Sequence, residues 1–111
     1  MMPSDYQALD GSTQWFDLDE VVDVIRTYSH LRPGWNALVV YVPSSRVFIE
    51  LRSSPPNVHG DSDDEAQEIS ESDLQAHYHI TPEACVQIRQ SPQAWKLIDE
   101  RQDAFDHSPP R

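Results

Sequence analysis

His77 and His79, two positions apart in LQAHYHI, are the residues best spaced for metal chemistry. On an extended strand, residues i and i+2 share a face, so two imidazoles could meet one ion, with His59 or Asp61 as a third ligand. A two-residue motif is weakly specific, and the plainer expectation is a pair of solvent-facing histidines on the open side of a half-covered sheet. Cys85, the one cysteine, is a poor nucleophile candidate. It follows Glu83 and lies on the apolar side of a predicted helix, whereas a reactive thiolate needs an electropositive setting and an adjacent base. Gly occurs only at 11, 34 and 60, which leaves no phosphate-cradling loop. The many acids make close carboxylate pairs by chance, so none stands out for acid–base work. No catalytic residue is assigned, no enzyme activity is expected, and no cofactor is called for.

The stretch that does stand out is His59 to Asp73, HGDSDDEAQEISESD, with seven carboxylates (Asp61, Asp63, Asp64, Glu65, Glu68, Glu71, Asp73) and no Lys or Arg in fifteen residues. Like charges that cannot pair with one another stay solvated and attract a positively charged partner. The whole chain follows the same bias, with 19 Asp and Glu against 8 Lys and Arg and a formal net charge of −11. Direct binding to nucleic acid or to an anionic membrane is therefore disfavoured, and a basic protein or a nucleic-acid-binding protein is the expected partner. Trp15, beside Phe16 and just outside the first predicted element, is the candidate aromatic anchor. Ser62, Ser70 and Ser72 have acids shortly after them, a context that acidophilic kinases favour.

The elements that would position these groups are read from caps and periodicity. Asp17 as N-cap, Glu20 three residues on, a Phe16 to Val21 staple and apolar residues at Leu18, Val21, Val22, Ile25 and Tyr28 predict a helix over 18–30. LRPG stops it. NALVVYV (36–42) and RVFIELR (46–52) predict a hairpin across Pro43 to Ser45. Strict alternation of Leu74, Ala76, Tyr78 and Ile80 predicts a third strand over 74–80. Thr81-Pro82 and Ser91-Pro92 cap two further helices, 82–90 and 92–104. The expected core joins Val21, Val22 and Ile25 to Val47, Ile49 and Leu51, closed by Trp95 and Ile98, with Trp35 at its edge. Acids then line the polar side of the first helix (Asp17, Asp19, Glu20, Asp23) and the end of the last (Asp99, Glu100, Asp103, Asp106).

At 111 residues the chain fits one modest core. The expected fold is α+β, a small single domain in the order α-β-β-β-α-α, with a three-stranded antiparallel meander packed on one face by helices. The domain is placed at 14–105 with a long acidic loop over 53–73, between flexible tails at 1–13 and 106–111. The start, MMPSDYQALDG, lacks a basic and an apolar leader region, and no run of eighteen apolar residues occurs, so a soluble cytoplasmic protein is expected. The function expected is a small acidic non-enzymatic binding protein that docks on a basic partner surface and acts as an inhibitor. It would be a nucleic-acid mimic of the anti-defence type or an immunity protein against a cationic toxin. The alternative is a metal-binding protein or metal-dependent enzyme using the His77 and His79 pair.

Overall fold

Seven strands and two helices make up the fold of the computed structural model, which describes residues 3–100. In chain order the strands are β1 (Pro3–Gln7), β2 (Thr13–Asp17), β3 (Val22–Tyr28), β4 (Asn36–Val42), β5 (Val47–Ser53), β6 (Asp64–Ile69) and β7 (Ile98–Asp99). The helices are α1 (Glu71–Tyr78) and α2 (Pro82–Gln90), and a single 3-10 turn follows at Pro92–Ala94. The strands form one mixed sheet in the order β2-β1-β6-β5-β4-β3-β7. The α+β class holds, but a seven-stranded sheet replaces the three-stranded meander.

The central hairpin is where the sequence places it. β4 and β5 pair without interruption from Asn36↔Ser53 to Val42↔Val47. Both faces of this hairpin are covered, in place of the single core face expected. On one side Val39, Tyr41 and Phe48 join Ile25, Ile69, Leu74, Tyr78, Cys85 and Ile88 under the two helices. On the other, Val40, Val42 and Ile49 meet Tyr6 and Phe16, with Val21, Leu38, Val47, Leu51 and Ala66 packed against them. Val47, Ile49 and Leu51 thus face the β1–β2 hairpin, while Trp95 belongs to the helix side.

The segment expected as a helix over 18–30 is a turn followed by β3. A bulge explains the false period: the β3–β4 register shifts between Asp23 and Ile25. Val22 and Val24 face the helices by strand alternation, and the bulge resets the parity so that Ile25 faces them too. A spacing of three between Val22 and Ile25 then imitates one helical turn. The Trp95 indole N–H donates to the Val24 carbonyl at 3.1 Å, occupying an acceptor at the bulge. Asp17 and Glu20 serve as turn acceptors and cap no helix: Asp17 Oδ1 accepts from the Asp19 N–H at 2.9 Å, and Glu20 Oε1 from the Ser44 N–H at 3.1 Å.

The region read as tail forms β1 and the start of β2, paired antiparallel from Pro3↔Asp17 to Gln7↔Thr13. Gly11, at φ +88, closes this hairpin with its N–H on the Ala8 carbonyl at 2.9 Å, in backbone space that a side chain disfavours. The acidic loop is shorter than expected, because β6 takes Asp64–Ile69 and α1 begins at Glu71. The predicted strand over 74–80 is mostly α1. Ser70 caps it, its Oγ accepting from the Asp73 N–H at 3.1 Å, and Leu74 and Tyr78 bury one turn apart. Helix α2 matches expectation, capped by Thr81 with Pro82 at its start. Over 92–99 the expected helix is replaced by the 3-10 turn and β7, which pairs parallel with β3 at Ile25↔Ile98, and residues 101–104 of that expectation lie outside the described residues. Asp103, Asp106 and the 106–111 tail lie outside the described residues.

Candidate functional site

β5 alternates through both faces, so Phe48, Glu50 and Arg52 all point to the helix side. Glu50 is fully buried there. Its Oε1 accepts from the Tyr78 hydroxyl of α1, and its Oε2 accepts from Ser29 Oγ at 2.6 Å and from the Arg52 guanidinium at 3.3 Å. Burial and the carboxylate beside it hold the Tyr78 hydroxyl well above the usual phenol range, so it remains a donor. Tyr78 Oη in turn accepts from the His30 N–H at 2.9 Å. Every partner is committed within the fold, so this network ties β5 to α1 and to the turn after β3.

The same face continues across the sheet to β6. Arg52, only 8% exposed, donates Nε to Glu65 at 2.8 Å and its second amino group to Gln67 at 2.9 Å. Arg32 also donates Nε to Glu65, at 3.0 Å, while its guanidinium lies 4.7 Å from the Trp35 ring. These hydrogen bonds, first from Arg32 and then from Arg52, hold the Glu65 carboxyl down at about 2. A carboxylate with a depressed native pKa stabilises the fold above its unfolded value near 4.5, and that stabilisation is lost as pH falls toward 2. Glu65→Gln is therefore expected to flatten the decline in stability between pH 4.5 and 2. Urea titrations at several pH values check it, and a decline as steep as the parent's would detach Glu65 from acid unfolding.

The acidic run divides. Glu65 is an internal ion-pair member. Glu68 Oε1 accepts from the Leu9 N–H at 3.1 Å, Glu71 pairs with Arg89 of α2, and Asp73 sits partly buried in the first turn of α1. Asp61, Asp63 and Asp64 are exposed, with no cation paired to them among the described residues. They cluster in sequence where the loop from 54 to 63 meets β6. Trp15 is 61% exposed on β2, an outer strand of the sheet, and Ser70 is a helix cap.

His77 and His79 do not share a face. His77 lies in the last turn of α1 and His79 just past its end, so the shared face of an extended strand is lost. His77 stacks on His30 with ring centroids 5.2 Å apart, and His79 is the C-cap in the left-handed region at φ +60. Among the described residues no group of three His, Cys, Asp or Glu side chains converges on one point. Cys85 is buried, and its surroundings push the thiol pKa up, chiefly through desolvation.

The feature that sequence reasoning missed is a cleft of about 650 Å³ on the face opposite the helices. Its floor is Leu38, Leu51 and Ala66, neighbours across β4, β5 and β6. Leu18, Ser4 and Asp5 form the opposing wall, and Arg26 and Asp64 lie at the rim. The cleft exists because β1 and β6 meet at one residue pair only, Gln7↔Gln67, although each strand runs for five residues or more. Beyond that pair the β1–β2 hairpin curls over the sheet, seals against Val40, Val42 and Ile49, and stands open toward Leu38 and Leu51. Arg26 is engaged by Asp99 at 3.6 Å. Asp5 and Asp64 are exposed and pair with no cation among the described residues.

No helix among the described residues is long and apolar enough to cross a membrane. Comparison with known proteins yields no matching family model, no matching curated protein and no matching solved structure.

Proposed function

We propose that this protein is a small acidic binding protein, non-enzymatic and cytoplasmic, that docks on a basic partner surface and blocks it. The occluded site would be the nucleic-acid groove of a binding protein, in the manner of an anti-defence mimic, or the active surface of a cationic toxin, in the manner of an immunity protein. The observation carrying this reading is a net charge of −11 whose exposed members Asp61, Asp63 and Asp64 form no ion pair among the described residues, in contrast to Glu65 and Glu71. Uncompensated surface charge costs the compact state some self-repulsion and accelerates encounter with an opposite charge. Trp15 would add an apolar anchor amid the acids.

The test is capture from the native host on immobilised protein, with elution between about 50 and 200 mM salt, where attraction between exposed charges is progressively screened. Bound proteins should be basic, should elute as salt rises, and should be displaced by duplex DNA or RNA if the mimic reading holds. Neutralising Asp61, Asp63 and Asp64 to Asn should leave stability unchanged or slightly raised, slow association and flatten its salt dependence. Direct retardation of duplex DNA by the purified protein would sink the proposal.

A further inference from the structure

We propose that the cleft over Leu38, Leu51 and Ala66 receives an extended basic peptide segment of the partner, with one long cationic side chain laid across the apolar floor. This rests on the acidic-binder reading above and names where and how it grips. Three features of the cleft select this occupant. The floor and the Leu18 wall are apolar, which suits the methylene stem of an arginine or lysine. The rim then offers Asp5 and Asp64 to the charged head, while the two lining cations are already held, Arg26 by Asp99 and Arg52 by Glu50, Glu65 and Gln67. Finally, the side of β6 turned away from β5 pairs with β1 at Gln67 alone, so the seam next to Asp64, Glu65 and Ala66 is open to an extended chain. A neutral apolar ligand would leave the two carboxylates unused, and an acidic one would be repelled by them and by the overall charge.

The interaction would be read with hexa-arginine and hexa-aspartate peptides titrated into the isotopically labelled protein. Hexa-arginine should shift the methyl signals of Leu38, Leu51 and Ala66, and hexa-aspartate should not. Ala66→Trp fills the cleft from its floor, and Leu18→Trp narrows it from the partly exposed wall, so one serves if the other fails a thermal-melt check. Either should weaken hexa-arginine binding at least tenfold. Asp5→Asn with Asp64→Asn should weaken it comparably, whereas Asp61→Asn with Asp63→Asn should matter less. If peptide binding survives a blocked cleft but falls with the loop substitutions, the acidic-binder reading stands and the cleft assignment is overturned. If the parent binds neither peptide at low salt, both fall. Methyl shifts that appear on concentrating the protein alone, together with a dimer in sedimentation, would assign the cleft to a second copy and overturn the peptide assignment.

Discussion

Replacing Glu50 with alanine is expected to destabilise the fold by about 3–5 kcal/mol, the range for removing one member of a buried charged pair. That is a large part of the total stability of a domain this size, about 5–15 kcal/mol. The reason lies in what remains. Arg52 is almost wholly buried and keeps Glu65 and Gln67, but loses its third acceptor. Tyr78 and Ser29, both buried, lose the acceptor for their hydroxyls. An unsatisfied buried donor costs about 1–3 kcal/mol, so two of them together with the lost side-chain volume account for the range. Glu50→Gln retains the shape and one carbonyl acceptor and should fall between alanine and the parent. Urea denaturation of the three proteins orders them. An alanine variant that unfolds at the parent's midpoint would show that the network contributes nothing net.

Glu50 also marks how far the sequence could be read. A carboxylate in the middle of VFIELR, on the same strand face as Phe48, is a legible sign of a buried polar partner, but the partners lie 21 and 28 residues away at Ser29 and Tyr78. No local pattern announces them. β4, β5 and α2 were legible because each carries its own signal: β-branched runs around turn formers, and Thr81-Pro82. α1 carried one as well. Ser70 to Asp73 spells a capping sequence ahead of Leu74, whereas the alternation over 74–80 is no strand signal, since Ala76 and His77 are both exposed. β3 was obscured by a bulge that mimics a helical step. β6 was obscured by composition, since DEAQEI has poor strand propensity. Its pairing is supplied from across the ladder, where Glu65 stands opposite Arg52 and Ile69 opposite Phe48. Of the acids singled out by charge alone, Glu65, Glu68 and Glu71 are tied into the structure by side-chain partners, whereas Asp61, Asp63 and, at the start of β6, Asp64 are exposed and form no ion pair among the described residues. The cleft was illegible for a topological reason. Its walls come from residues about sixty positions apart, brought together by a parallel β1–β6 contact one residue pair long.

That narrow contact sets up the second large effect, at Ile49. Ile49 is fully buried beneath Tyr6 and Phe16, whose rings meet edge to face 5.8 Å apart. Ile49→Ala should cost about 2–5 kcal/mol through lost transfer energy and the cavity left behind. Leu51→Ala, two residues along the same face but partly exposed at the cleft floor, should cost distinctly less. The two substitutions should also differ in where the loss is felt. Beyond Gln7↔Gln67 the β1–β2 hairpin is held to the sheet mainly by side-chain packing around Ile49, so weakening that packing lowers the free energy of opening the hairpin before the central strands open. Amide hydrogen exchange at Ser4–Tyr6 and Gln14–Phe16 should accelerate more than exchange at Val39–Tyr41 in Ile49→Ala, and not in Leu51→Ala. Uniform acceleration across all strands would show instead that the hairpin and the sheet open as one unit. Because Ser4 and Asp5 form a wall of the cleft, local opening of the hairpin also removes part of the proposed binding surface, so Ile49→Ala should weaken hexa-arginine binding although its side chain lies outside the cleft lining. Unchanged peptide affinity in a variant with a demonstrably open hairpin would mean that the β1 wall takes no part in recognition.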